Sequence, residues 1–207
     1  KKAEEKRYPA SITKVLSALT ALQYAKMSDA VSFSEESISF LQWDDAQIGM
    51  KPGEEISMES ALYGMLLASA NEVSYAVAEN VGKQYLNGGY AEFIEEMNRI
   101  SQELGCTSSN WVNANGLHDD NHYTTAHDMA RIAAAAYQNE EFRRLETTLE
   151  YKVPPTNLTA EERILDQNHK MLWPENYYYY ANAKAGKTGY TDQSKTTLVT
   201  MAEGNDM

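Results

Sequence analysis

A single cysteine, Cys106, stands in a chain of 207 residues, so no intrachain disulfide forms. It follows the helical pattern "SQELG", where a small buried hydrophobe is the expected role. Basic residues are scarce too: 18 Lys and Arg face 30 Asp and Glu, for a net charge of −12. Duplex binding depends on neutralising phosphates with cations, so nucleic acid is not an expected partner. The same imbalance suits an anionic lipid surface poorly. No apolar run approaches the roughly 20 residues that span a bilayer, and no secretory signal pattern is visible. Repeats and low-complexity linkers are also missing. What is present is a hydrophobic fraction of 43%, enough for a core in one domain.

Apolar spacing predicts a helix over 9–26, with Ile12, Val15, Leu16, Leu19 and Leu22 on one face and Pro9 in its first turn. Residues 31–56 read as irregular, with a turn at "KPGE". Ser57 is a candidate N-cap for a helix over "MESALYGMLLAS", and "EVSYAVAENV" is a further helical stretch. Residues 90–104 form the clearest amphipathic helix, through Phe93, Ile94, Met97, Ile100 and Leu104, with Gly105 as its stop. The Asn-, Gly- and Asp-rich stretch 106–124 lacks periodicity. Thr125 then caps "AHDMARIAAAAY", with Asp128 three residues on. Strands are expected at 148–153 and 196–202, with an edge strand at 184–191. Helices fill the middle and strands gather late, which is an α+β pattern.

Three polar motifs interrupt these elements. Ser11 and Lys14 form a Ser-x-x-Lys pair on one helical face. With 15 Ser and 12 Lys, chance alone supplies about 0.9 such pairs. Ser69 and Asn71 lie where one apolar helix ends and the next begins, and polar groups between buried helices need a reason. A capped helix break would explain them equally well, and Ser108 and Asn110 repeat the spacing. Lys187, Thr188 and Gly189 form a triplet that chance supplies only about 0.04 times. Beside an active site they would offer a positive charge, a hydroxyl and a close backbone approach. His118, Asp119 and His122 sit in the polar loop without a recognised ligand spacing, so no metal site is expected. Asn157 opens a glycosylation sequon, a short pattern that is given no weight.

Ser-x-x-Lys, Ser-x-Asn and Lys-Thr-Gly, in that order, are the signature set of active-site serine penicillin-binding enzymes. The connecting text resembles the D-alanyl-D-alanine carboxypeptidase family, the low-molecular-mass penicillin-binding proteins. The resemblance is carried by "YPASITKVLSALTAL", by "KPGEEISMESALYGMLLASANEVSYAVAE" and by "FIEEMNRISQELGCTSSNWVNANGLHDDNHYTTAHDMARIA", which includes an Asn-Gly-Leu loop. It runs from about residue 7 to 202. One departure is "QNHKML", with Gln167 and His169 where the family usually carries paired asparagines.

The resemblance implies an α+β penicillin-binding/β-lactamase-like fold, with an antiparallel sheet packed against a mainly helical region. It implies one catalytic domain over 1–207 in which that sheet is incomplete, since the family has strands before the nucleophile helix and more strand and helix later. It makes Ser11 the acylated nucleophile and Lys14 its base. Ser69 relays a proton to the leaving amine, and Asn71 orients Lys14 and the substrate amide. Lys187 and Thr188 engage the terminal carboxylate of D-Ala-D-Ala or of a β-lactam. The backbone N–H groups of Ser11 and Tyr190, beside Gly189, form the oxyanion hole. The implied partners are a peptidoglycan stem peptide and β-lactam antibiotics, with no cofactor. The implied location is extracytoplasmic, with any export signal and membrane-associating segment outside this stretch. Endopeptidase and β-lactamase readings share these motifs, and a non-catalytic wall-binding module on the same fold is a further alternative. A class A β-lactamase would add a loop glutamate, for which no matching segment is found, and a non-catalytic module would normally lack Ser11 or Lys14.

Overall fold

The computed structural model describes residues 2–204. A 3₁₀ turn at Ala10–Ile12 leads into helix α1 (Thr13–Leu22). The expected continuous helix over 9–26 is thus shorter, and Ser11 lies on the turn before it. The reason is tertiary. Ala10 is held at φ +50°, a left-handed value that no α-helix accommodates. At the far end, Gln23 and Tyr24 donate to Thr20 and Ala21 in the tighter i→i−3 pattern that closes a helix.

Every residue of α1 from Thr13 to Ala21 is buried, so it is the central helix rather than an amphipathic one. Its polar residues are satisfied internally. Ser17 donates to the Ala114 carbonyl at 2.7 Å, and Thr20 to the Leu16 carbonyl at 2.9 Å.

The stretch expected to be irregular contains β1 (Ala30–Ser32), α2 (Glu35–Ser39) and β2 (Glu55–Ser57). β1 and β2 pair antiparallel with Val31 opposite Ile56. Three-residue strands carry too few alternations for a period to be read. Ser57 caps α3 (Met58–Leu66) by accepting from the Ser60 N–H. Then come α4 (Asn71–Tyr85) and α5 (Tyr90–Glu103), the latter burying Phe93, Met97 and Ile100. Cys106 is buried. Thr125 caps α6 (Ala126–Gln138) by accepting from the Asp128 N–H.

Helix α7 (Glu140–Glu146) precedes a hairpin of β3 (Glu150–Val153) and β4 (Arg163–Asp166). The last described strands form a longer hairpin, β5 (Ala183–Thr191) with β6 (Lys195–Ala202), in which Lys187 faces Val199. The architecture is α+β. Among the described residues the strands form three two-stranded antiparallel sheets. β5 runs along the 3₁₀ turn, which places the Lys-Thr-Gly triplet beside Ser11. No helix among the described residues is long and apolar enough to cross a membrane.

Candidate active site

Ser11, Ser69, Asn71, Thr188, Gly189 and Tyr190 line one open cleft of about 650 Å³. Lys14 and Lys187 reach it from beneath. Both are buried, at 0% and 1% exposure. The three motifs, separated by up to 178 positions in the chain, therefore meet in one place.

Lys14 Nζ lies 3.0 Å from Ser11 Oγ, 2.8 Å from Asn71 Oδ1 and 2.6 Å from the Asn115 carbonyl. The last two can only accept. A neutral amine has two N–H bonds, which these oxygens occupy, and its lone pair is then left facing the serine hydroxyl. Burial holds Lys14 well below the ordinary lysine range, and the positive charge of Lys187 lowers it further. Glu72 and Asp45 pull the other way. The result is an amine poised to take a proton from Ser11.

On the opposite wall Lys187 Nζ donates to Ser69 Oγ and to the Thr188 carbonyl, both at 2.9 Å. An ammonium has three donors, so one remains for an anion in the cleft. Ser69 is held at φ +63°. A non-glycine residue there carries strain on the order of 1–3 kcal/mol. With the backbone in this conformation, the Ser69 hydroxyl accepts from Lys187.

Two glycines allow this convergence. A Cβ on Gly189 would come 2.8 Å from the Ser11 nitrogen and 3.1 Å from Ala10 Cβ. A Cβ on Gly116 would come 2.0 Å from the Ala10 carbonyl oxygen. The nucleophile turn is gripped between β5 and the Asn-Gly-Leu loop, which explains the φ of Ala10. The loop is self-braced: Asn113 Oδ1 accepts from the Gly116 N–H at 2.7 Å, and Asn115 Oδ1 from the Leu117 N–H at 3.0 Å. That bracing aims the Asn115 carbonyl at Lys14.

His122 has a structural role. Its Nδ1 accepts from the Val112 N–H at 3.1 Å, so Nε2 carries the proton and donates to Thr13 Oγ1 at 2.8 Å. Thr13 in turn donates to the Ala10 carbonyl at 2.8 Å. Burial pushes the imidazole down to about 4. Its neighbour His118 lines the cleft and packs edge-on against Tyr8.

Residue types alone do not flag several participants. Asn115 acts through its backbone. Asp44 and Asp45 rim the cleft from the α2–β2 connection, and the Asn71 N–H donates to the Ala46 carbonyl at 2.8 Å, tying that rim to α4. In the "QNHKML" segment, Gln167 and His169 are buried while Asn168 faces the cleft. His169 Nε2 lies 2.8 Å from Thr200 Oγ1, so it braces β6.

A family model described as D-alanyl-D-alanine carboxypeptidase matches residues 1–207. The D-alanyl-D-alanine carboxypeptidase DacF of Bacillus subtilis is 30% identical over 216 aligned residues, covering 100% of this chain and 51% of its own length. DacB2 of Mycobacterium tuberculosis, of the same description, is 30% identical over 193 residues, covering 92% of this chain and 60% of its own. The chain thus spans about half the length of the Bacillus relative. A crystal structure of a D-alanyl-D-alanine carboxypeptidase from Mycobacterium tuberculosis superposes with a TM-score of 0.83 at 28% identity, over 96% of this chain and 70% of that one. The Streptomyces K15 DD-transpeptidase superposes at 0.86 with 24% identity, over 99% and 79%, a likeness of fold. The order of the motifs, the penicillin-binding fold and the match along the whole sequence agree: this chain belongs to the D-alanyl-D-alanine carboxypeptidase family.

Proposed function

We propose that this chain carries a serine-type D-Ala-D-Ala carboxypeptidase centre that removes the terminal D-Ala from peptidoglycan stem peptides. The observation that carries the reading is the single cleft in which Ser11 faces a buried Lys14 while Ser69 faces a buried Lys187. Residues 1–207 act as one catalytic domain, outside the cytoplasm where peptidoglycan lies.

The chemistry is acyl transfer in two steps. Lys187 and Thr188 hold the substrate's terminal carboxylate, and Asn71 orients its amide. Neutral Lys14 takes the Ser11 proton as Oγ bonds to the carbonyl carbon of the penultimate D-Ala. The oxyanion accepts from the N–H groups of Ser11 and Tyr190. One such donor contributes roughly 2.7–4 kcal/mol to transition-state stabilisation. The C–N bond then breaks, and the proton reaches the leaving amine through Ser69. Water attacks the ester, the shortened peptide leaves and Ser11 recovers its proton. A β-lactam enters the same first step, but its leaving amine stays tethered.

Incubation with a fluorescent penicillin, followed by denaturing electrophoresis, tests the assignment. Labelling that is lost in Ser11→Ala is the expected result. Unlabelled wild-type protein, or label surviving the substitution, would overturn it. Release of D-Ala from a pentapeptide then identifies the reaction.

A further inference from the structure

Among the buried carboxyl groups that the mechanism leaves unused, one adjoins the Lys-Thr-Gly triplet. Glu146 ends α7 and is fully buried. Its Oε2 accepts from the Gly186 N–H at 3.3 Å and faces Gln167 Nε2 at 3.5 Å. Its Oε1 is buried without a hydrogen-bond partner among the described residues. Gly186 is the residue directly before Lys187. A carboxylate this deep in a protein is costly to keep ionised unless a cation lies nearby.

We propose that Glu146 is a positioning residue for Lys187, a buried counter-charge that keeps the Lys187 ammonium cationic and available to the substrate carboxylate. The inference rests on the function proposed above.

The surrounding hydrogen bonds are compatible with the charged pair. Glu146 Oε2 meets only donors, and a proton on Oε1 would have no acceptor. Lys187 meets two oxygens, Ser69 Oγ and the Thr188 carbonyl. The two residues do not share a hydrogen bond, so the link is Coulombic through a low-dielectric interior, where charges act strongly over distance. Burial lowers Lys187, and the negative charge of Glu146 holds it up. Burial raises Glu146 overall, and Lys187 and the Gly186 N–H offset only part of that rise.

Other titratable groups around α7 do not substitute for this pair. Lys14 on α1 and His169 after β4 are both buried and both pushed toward their neutral forms, chiefly by burial and further by Lys187. Glu59 on α3 pairs with Arg144 at 2.7 Å, and Tyr137 on α6 donates to Glu203 at 2.7 Å, both away from Lys187.

The test compares the pH dependence of acylation by a fluorescent penicillin in wild type, Glu146→Gln and Glu146→Asp. Loss of the Lys187 proton sets the alkaline limb of kcat/KM. In Glu146→Gln that limb is expected to move to lower pH. At a fixed alkaline pH the loss is about tenfold for each unit moved, and it enters through KM with kcat little changed. Glu146→Asp keeps the charge and is expected to retain most of the wild-type limb. A limb that stays in place in Glu146→Gln, or moves equally in both variants, overturns the proposal.

A second readout needs neither activity nor a Glu146 variant. The Lys187 ¹³Cε resonance, identified by its loss in Lys187→Met, should titrate in two steps, one its own and one from Glu146. A single step overturns the counter-charge. Wild-type protein that takes no penicillin label overturns the function reading instead, and the resonance still decides this one.

Discussion

Lys14 and Lys187 are both sealed from solvent and both have a buried carboxyl in the surroundings, Glu72 and Glu146, but only Lys14 also has a second cation acting against its proton. On the helical side, Lys14 touches amide oxygens and a hydroxyl, with burial and a neighbouring cation against its proton. On the strand side, Lys187 shares the interior with the Glu146 carboxyl. Under the proposed function, the same residue type serves as a base on one wall and an anion receptor on the other. The difference lies in what α7 and the Asn-Gly-Leu loop bring to each, not in depth of burial.

The largest expected effect comes from removing the base. Lys14→Ala should slow acylation of Ser11 by about 10²–10⁴-fold, the usual contribution of a positioned base. The loss should appear as a slower covalent step in a single-turnover time course. Because the deletion also leaves Asn71 and the Asn115 carbonyl facing a void, Lys14→Met is the companion variant. Retained folding with unchanged acylation in either would break the contrast between the two lysines. Lys187→Met should instead raise the penicillin concentration needed for half-maximal rate.

A smaller effect concerns stability, and it separates the two walls by pH. His122 supports the nucleophile turn through Thr13 and the Ala10 carbonyl. Burial depresses its pKa from 6.5 to about 4. A depressed histidine favours folding only while neutral. That stability is complete above about 6.5, and it drains as pH falls from there toward 4. The displacement is worth about 3 kcal/mol. Urea unfolding at pH 7 and pH 4.5 should show this slope in wild type and a smaller one in His122→Gln. Equal slopes would mean that the imidazole is not the acid-sensitive support of the Lys14 wall.

The contrast also explains which parts of the site were open to sequence reasoning. Ser11, Lys14, Ser69, Asn71 and the Lys187–Gly189 triplet are legible because each pairs particular side chains within a short spacing. Their meeting in one cleft needs the fold. Glu146 is not legible: "EEFRRLE" has the look of a solvated helix end, and only the packing of α7 on β5 buries its last carboxylate. Asn115 contributes a carbonyl, which every residue has. The helices Met58–Leu66, Tyr90–Glu103 and Ala126–Gln138 follow from apolar spacing and caps. The 3₁₀ turn under Ser11 does not, because its backbone is set by Gly116 and Gly189, more than 100 positions away.

The subtlest prediction asks whether the two walls act on each other. Lys187 is the second cause of the Lys14 depression, after burial, so removing its charge should shift Lys14 less than exposing it would. Lys187→Met deletes a cation from the interior while leaving Lys14 buried. The Lys14 pKa must then rise. Lys14 serves as base only when neutral, so the acid limb of the acylation profile should move to higher pH. The alkaline limb set by Lys187 itself should disappear. Both changes concern the shape of the profile, so they survive the overall loss in carboxylate binding that the variant brings. An acid limb that stays where it is would show that Lys14 is neutralised by burial alone and that the walls are electrically independent. A limb that moves makes Lys187 a second contributor to the basicity of the site, in addition to its part in binding.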